Sequence, residues 1–441
     1  MSYIPLHMHS NYSLCRGANT IQEICAAAEA HSFSHLALTD TNGLYGLAFF
    51  LDQARQHHLQ PLTGAHLQTE GEEAVVLARS MQGYHTLCRL ITALHTGEQP
   101  VLARLLQPVD PEIVILTRDI PLLRQLTAAG TRDNLYAELV PYAGREELLR
   151  FARSREIPVA ASCGAYFLGE EDYTIHRLLR AIDLNTTLEK IPAGQIASRH
   201  ARLHSPREME ALFPDAPDAL ANTFAIARHC TFDLDFGRFI FPSFTGPHGE
   251  DAQSWLRQEV LAGARWRYGE ITPAVRQRME FELNLINDKG FAPYFLVVAD
   301  AVRQAPRTCG RGSAASSLVS YCLGITHVDP IRYDLFFERF LNPGRSDPPD
   351  IDVDFPWDER DDVLNYLFRT YGRGCVAMIA NHNCFKVRSA MREIAKVYGI
   401  PDSEIGAITK KLTGYWQPTS VTEMLSSHPV FKGTELHPPW P

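Results

Sequence analysis

Pro348-Pro349-Asp350-Ile351-Asp352-Val353-Asp354-Phe355 sets a carboxylate at every second position, with an apolar side chain after each. In a strand, alternate side chains take opposite faces. Asp350, Asp352 and Asp354 then share one face, and Ile351, Val353 and Phe355 the other. No apolar core tolerates such a row of carboxylates without compensation. An edge strand with a solvated acidic face is one reading. Divalent metal is the other. Mg²⁺ is held by one or two carboxylates plus substrate phosphates, and two such ions about 3.5–4 Å apart clamp the attacking and leaving oxygens of a phosphoryl transfer.

Upstream lies Cys309-Gly310-Arg311-Gly312-Ser313-Ala314-Ala315-Ser316-Ser317, opening the apolar run Leu318 to Ile325. Small residues before a helix let backbone N–H groups approach a phosphate, and the helix start favours the anion. Arg311 adds a planar charged fork. A plain helix entry is the blander alternative. Between the two stretches, Asp334-Leu335-Phe336-Phe337-Glu338-Arg339-Phe340-Leu341-Asn342-Pro343 supplies a second arginine in an aromatic, packed setting. A phosphate-cradling turn, a packed arginine and an acidic strand together read as a nucleotidyl-transfer site.

The stretches GRGSAASSLVSYCLGITHVDP, LFFERFLNP and PPDIDVDF, in that order, resemble the palm of the bacterial DNA polymerase III alpha subunits, the C-family polymerases. The resemblance runs from Gly310 to about Pro401 and leans toward accessory or error-prone members, with roles in replication and repair. It implies catalytic Mg²⁺ ligands at Asp350 and Asp352, support from Asp354, and triphosphate contacts from Arg311, Gly312, Ser313 and Arg339. Two departures stand out: Ser316 replaces the usual Gly, and the connector Gln304 to Cys309 is short.

The chain has 441 residues, 45% hydrophobic and 21% charged, enough for two or three domains of an ordinary globular protein. No apolar run reaches the ~18 residues of a membrane span, and Met1-Ser2-Tyr3-Ile4-Pro5 is no signal peptide. Nine cysteines without a C-x-x-C pair point to free thiols in a reducing cytoplasm. The net charge of −9 predicts weak non-specific affinity for nucleic acid; any DNA binding must come from a local basic patch.

The N-terminal part alternates strand and helix: Ile4–Met8, a helix over Ile21–Ala30, His35–Thr39 ending at Asp40, a helix over Leu44–His57, then Gln60–Leu67. Further strands are predicted at Glu73–Ala78, Glu112–Leu116, Leu135–Leu139 and Pro158–Ala161. Such alternation predicts parallel strands, and seven or so units favour a (β/α) barrel with its site at the strand C-terminal ends. His7 and His9 share a strand face near such an end, and Asp40 ends the next strand. These three allow a metal site or merely a polar barrel mouth. LHMHSNYSL, LALTDTNGLYG, PLTGAHL and IPVAASCGAYF resemble the PHP phosphoesterase domain that precedes the palm in these polymerases. Active members of that family carry a trinuclear metal centre. Here His7, His9 and Asp40 match ligand positions, but Thr41, His66, Gly164 and Tyr166 stand where further ligands are expected. The resemblance therefore implies a degenerate PHP site without metals or hydrolysis, with one lesser alternative, a single ion on His7, His9 and His66.

The expected architecture is α/β: a PHP-type barrel with a helical C-terminal part over 1–240, a partial α+β palm over 241–380, and the start of a thumb with a loose tail over 381–441. Phe241–Pro247, rich in Pro and Gly, marks the junction. Helices are predicted over Ala252–Arg265, Thr272–Ile286 and Tyr294–Ala305, with Phe281, Leu285 and Tyr294–Val298 as core. Asp358 is expected to cap a helix over Glu359–Tyr371, followed by a strand at Val376–Ala380. Arg388, Arg392 and Lys396 recur at helical spacing, with Lys386 beside them; that face suits a DNA backbone or is simply solvated.

Three functions follow. The first is DNA-templated transfer of deoxynucleotides to a primer 3′-hydroxyl, with Mg²⁺, primer–template and dNTPs as partners. The family's third catalytic Asp, its fingers and later domains are not found in this sequence. The chain is then half of a split enzyme completed by a second polypeptide, or a truncated product, and is expected to be inactive alone. The second is a non-catalytic module binding nucleotide, DNA or a polymerase component. The third, a PHP phosphoesterase or exonuclease, is opposed by the missing ligands.

Overall fold

The computed structural model describes residues 3–130, 134–142, 144–234 and 240–410. The tail from Tyr415 onward, expected to be loose, lies outside them. The described residues through Leu234, together with those from Asn383 on, cluster as one compact unit; those between form a second.

The first unit is built on a six-stranded sheet in sequence order: β1 (His35–Leu38), β2 (Gln60–Gln68), β3 (Glu73–Ala78), β4 (Ile113–Thr117), β5 (Leu135–Leu139) and β6 (Val159–Ala161). β4, Ile-Val-Ile-Leu-Thr, is rich in β-branched residues that fit a pleated buried surface, and all five of its residues are buried. The pairs β1–β2, β4–β5 and β5–β6 are parallel. β3 is antiparallel to both neighbours, against the all-parallel expectation. The reason is local: only residues 69–72 separate β2 from β3, and the Thr69 amide bonds the Glu72 carbonyl at 2.9 Å. So short a link makes a hairpin, whereas a parallel pair needs a long crossover.

The N-terminal segment carries the ring onward. Ala37 N–H donates to Pro5 O and Thr39 N–H to Met8 O beside β1. On its other side, His9 N–H donates to Ala165 O and Ala165 N–H to His7 O, just past β6. Segment, sheet and outer helices thus form a mixed α/β half-barrel, in line with the expected α/β class, around a core including Met8, Ile24, Leu36, Val76, Ile115 and Leu139. Helix starts follow local chemistry. Thr20 with Glu23, and Ser205 with Glu208, form capping boxes ahead of Ile21–Ala30 and Pro206–Leu212. The helix Val387–Val397 returns to this unit: Leu188 N–H donates to Val397 O at 3.1 Å.

His176, 1% exposed on the helix Asp172–Asp183, donates through Nδ1 to Arg16 O and accepts at Nε2 from the Ala197 amide. Both nitrogens are satisfied in the neutral ring, and burial lowers the pKa to about 4. Below pH 6.5 the unfolded chain takes up this proton while the folded one does not. Stability is therefore complete above pH 6.5 and falls as pH drops toward 4, by up to roughly 3 kcal/mol. Urea unfolding at pH 7 and pH 5 should show a lower midpoint at pH 5, and a smaller drop in His176→Asn.

The second unit packs the helices Ala252–Tyr268, Pro273–Asp288 and Ala292–Val302 around Val260, Met279, Leu283, Phe295, Leu318, Phe337 and Phe340. Gly263 permits the close approach of Ala252–Tyr268 to Leu318–Cys322: a Cβ there would lie 2.0 Å from Cys322 O. The short strands β7 (Cys309–Gly310) and β8 (Val353–Asp354) pair antiparallel. Four local expectations fail. Ile4–Met8 is no strand and makes only an isolated bridge, Met8 to Ala165, and Phe281, expected in the core, is 43% exposed. Residues 376–380 are not a strand. Asp358 does not cap the helix Arg360–Tyr371, because its carboxylate takes Arg307, as does that of Glu359. All nine cysteines are free thiols. Among the described residues, no helix is long and apolar enough to cross a membrane.

Candidate functional site

Along the acidic strand, Ile351, Val353 and Phe355 are half-buried against the second core, while Asp350, Asp352 and Asp354 are exposed. The ladder sets Cys309 opposite Asp354 and Gly310 opposite Val353. It continues one residue further, where Arg311 N–H donates to Asp352 O at 2.8 Å. Gly312 then turns with φ +62°, and a Cβ placed on it would be 3.8 Å from Asp352 Oδ2. The glycine turn therefore lies directly beside the middle carboxylate. Tyr294 registers the same acids. Its hydroxyl accepts from Ile351 N–H at 3.1 Å, and burial, then Asp350 and Asp352, push its pKa up.

The Arg311 guanidinium is exposed and bonded to Asp354. Ser313 lies in the turn Gly312–Ser316, and its carbonyl accepts from the Ser316 hydroxyl at 2.7 Å. The serine that departs from the family pattern thus spends its hydroxyl inside the turn. The turn Phe337–Arg339 packs on Gly312–Ser316, which brings Arg339 to the neighbourhood. Arg339 itself is exposed rather than packed, since Phe337 and Phe340 fill the core on either side.

Beneath the turn lies a pair that sequence reasoning missed. Glu282 is fully buried, and its carboxylate accepts from Ser317 Oγ, Leu318 N and Val319 N at 2.8–3.1 Å. It thus caps the helix Leu318–Cys322. Arg278 pairs with it at 2.6 Å and donates to Ser316 O and Leu335 O. This ion pair, buried at Glu282 and half-buried at Arg278, ties the glycine turn to the segment bearing Arg339. Burial raises the Glu282 pKa against these donors. The available signal was its register: Val275, Met279, Glu282 and Ile286 share the buried helix face.

The four basic residues of the proposed DNA face belong to the other unit. Lys386 and Arg388 are exposed. Arg392 pairs with Asp402 at 3.0 Å and Lys396 with Glu393 at 2.8 Å. Arg392 and Lys396 are thus matched by acids of their own chain.

At the half-barrel mouth, His7, His9 and His66 each offer one ring nitrogen within 4.8 Å of the others. His7 Nδ1 meets Glu138 Oε1 at 2.6 Å, His9 Nδ1 meets Ser13 Oγ at 2.8 Å, and His66 Nε2 lies 3.3 Å from Glu73. Asp40 is not turned to them; its oxygens accept from Ser10 N, Ser10 Oγ and Ser13 Oγ. Burial keeps His9 and His66 neutral by lowering their pKa values. Burial pushes the Glu73 carboxyl up, but His66 and Arg118 outweigh it and hold the pKa well below the usual range. Glu138 is likewise lowered, by His7 and Arg118 against the cost of burial. Of the positions lacking an expected ligand, Gly164 sits at φ +53°, and the Tyr166 ring stacks flat on His9 at 4.0 Å.

Residues 254–437 match the family described as the bacterial DNA polymerase III alpha NTPase domain, and residues 5–119 match the PHP domain. The error-prone DNA polymerase of Symbiobacterium thermophilum is 33% identical over 100% of this chain and 45% of its own length. The error-prone DNA polymerase of Pseudomonas syringae pv. syringae is 35% identical over 92% of this chain and 42% of its own. For the DNA polymerase III subunit alpha of Bacillus subtilis the values are 31%, 93% and 40%. The chain thus spans less than half the length of these relatives.

Proposed function

We propose that this chain, a DNA polymerase III alpha-like protein carrying a PHP domain, contributes the nucleotide-binding part of a DNA-templated nucleotidyl-transfer site. The observation that carries the reading is the juxtaposition of glycine turn and acidic strand: the 2.8 Å bond from Arg311 N to Asp352 O, and Gly312 beside Asp352 Oδ2. Exposed carboxylate oxygens are the donor set that suits Mg²⁺, so Asp350 and Asp352 are the residues to hold it. When bound, Mg²⁺ would neutralise phosphate charge and activate the primer hydroxyl. The remaining work falls to the chain. Gly312 lets the turn amides approach a phosphate, Ser313 contributes the turn's hydroxyl, and Arg311 and Arg339 balance charge. Arg311 would exchange Asp354 for the triphosphate. Tyr294 holds the start of the acidic strand through Ile351. Lys386, Arg388, Arg392 and Lys396 are the residues proposed for the primer–template backbone.

The reading assigns cytoplasmic nucleotide chemistry to the chain; what the longer relatives contain beyond this span would complete the site. The test is primer extension with Mg²⁺ and deoxynucleotides, by the chain alone and with a polypeptide covering the rest of a relative. Extension that requires this chain supports the reading. Its absence in both arms, with the chain folded, would leave a non-catalytic module that binds nucleotide or a polymerase component.

A further inference from the structure

Three imidazole rings meet inside the first unit with centroids 4.7–5.2 Å apart: His7, His9 and His66, which are 4%, 0% and 2% exposed. Their hydrogen bonds determine where the protons are. His7 Nδ1 faces a carboxylate, Glu138, which accepts; Nδ1 therefore carries the hydrogen, and in the neutral tautomer Nε2 is a lone pair. Ser13 Oγ gives its one proton to Asp40 at 2.6 Å and already accepts from Thr41 N–H at 3.0 Å. Toward His9 Nδ1, at 2.8 Å, it can only accept again, so His9 Nε2 is also a lone pair. His66 Nε2 faces the Glu73 carboxylate at 3.3 Å, which leaves Nδ1 as the third lone pair. That Nδ1 is buried and has no hydrogen-bond partner.

Two of these lone pairs, His7 Nε2 and His9 Nε2, stand 3.0 Å apart. Lone pairs at that distance repel unless a cation lies between them. An unpartnered third nitrogen in the same buried cluster also costs free energy unless something binds it. Each ring, moreover, has its other nitrogen bonded to a carboxylate or a hydroxyl, the outer arrangement that orients histidines on a metal. We propose that His7, His9 and His66 bind a single divalent transition-metal ion of the zinc class. Imidazole nitrogen suits zinc, iron and nickel, not magnesium or calcium.

This is not the multinuclear centre that the family resemblance implies. Such a centre does not fit here: Thr41 and Gly164 offer no carboxylate or imidazole, Tyr166 covers His9, and Asp40 is consumed by Ser10 and Ser13. His66 stands at a position where the family pattern expects a carboxylate, and it changes the site from bridged carboxylates to three nitrogens. The burial of all three rings makes the ion structural. It fastens the N-terminal segment to β2, and water takes the fourth position that three protein ligands leave on a tetrahedral ion. The proposal is independent of the polymerase reading.

The experiment uses the full chain with any affinity tag removed. Metal is measured by plasma mass spectrometry after growth in zinc-supplemented medium, then after chelator stripping and titration with Zn²⁺ or Co²⁺. The expected content is about one zinc per chain, with a visible Co²⁺ d–d band and a melting temperature that rises on zinc addition. His66→Gln, checked for folding by circular dichroism, should weaken zinc binding by more than about 100-fold, beyond a second-shell effect. If that variant fails to fold, the zinc-dependent rise in the melting temperature of the stripped native chain decides. Uptake below about 0.1 zinc per folded native chain, where a bound site takes up one, and an unchanged melt would overturn the proposal. A proton would then be what His7 and His9 share.

Discussion

Replacing Asp350 and Asp352 together by asparagine should lower primer extension by about 10³-fold or more, because metal-held charge stabilisation is worth several kcal/mol in such transfers. The fold should not suffer. Both carboxylates are exposed on the outer face of the strand, while Ile351, Val353 and Phe355 on the other face do the packing. Surface changes of this kind usually shift stability by less than about 0.5 kcal/mol. The loss should therefore appear in rate, with an unchanged thermal melt. Extension rates within a factor of about two of the native chain, far short of the several kcal/mol at stake, would remove Asp350 and Asp352 from the chemistry.

The second large effect is on stability. Glu282→Ala removes a fully buried carboxylate that satisfies Ser317 Oγ, two helix-start amides and Arg278. Removing one partner of a buried ion pair typically costs about 3–5 kcal/mol; because the Arg278 side chain is 23% exposed, a loss near the lower end, about 3 kcal/mol, is expected. Trp255, Trp266 and Trp357 lie in the second unit; with the other two tryptophans, Trp416 and Trp440, replaced by Phe, fluorescence in urea reports its unfolding. Glu282→Gln should lose less, since the amide keeps an acceptor oxygen. A loss under about 1 kcal/mol in Glu282→Ala, well below the cost of an unpaired buried charge, would mean that the pair does not hold the glycine turn.

The contrast between these two sites shows what a sequence makes legible. The acidic strand could be read because a period of two is a local signal, and its alternation between exposed and half-buried residues is what the structure has. The strand–helix alternation was legible for the same reason. Glu282 was not. A glutamate between Phe281 and Leu283 looks like a solvated break in a core helix, and only the approach of Ser317 and Leu318 from far along the chain makes it a cap. Tyr294 was read as core; its hydroxyl's role depends on Ile351, 57 residues away. The return of Val387–Val397 to the first unit likewise rests on long-range packing that periodicity cannot encode. Arg339 misled in the other direction, since aromatic neighbours in sequence bury themselves and leave the arginine outside. At the half-barrel mouth, the residue types were visible but not their proton positions. These depend on Glu138, Ser13 and Glu73 arriving from different elements.

Equilibrium binding of a deoxynucleoside triphosphate to the full chain, with Mg²⁺ and then with chelator, requires no second polypeptide and reads the juxtaposed turn and strand alone. Saturable binding is expected with Mg²⁺. It should be lost with chelator and in the Asp350→Asn/Asp352→Asn variant, and weakened in Arg311→Ala. Binding of equal affinity without Mg²⁺ or in the double variant, or no binding by the folded chain, would contradict the assignment of this site.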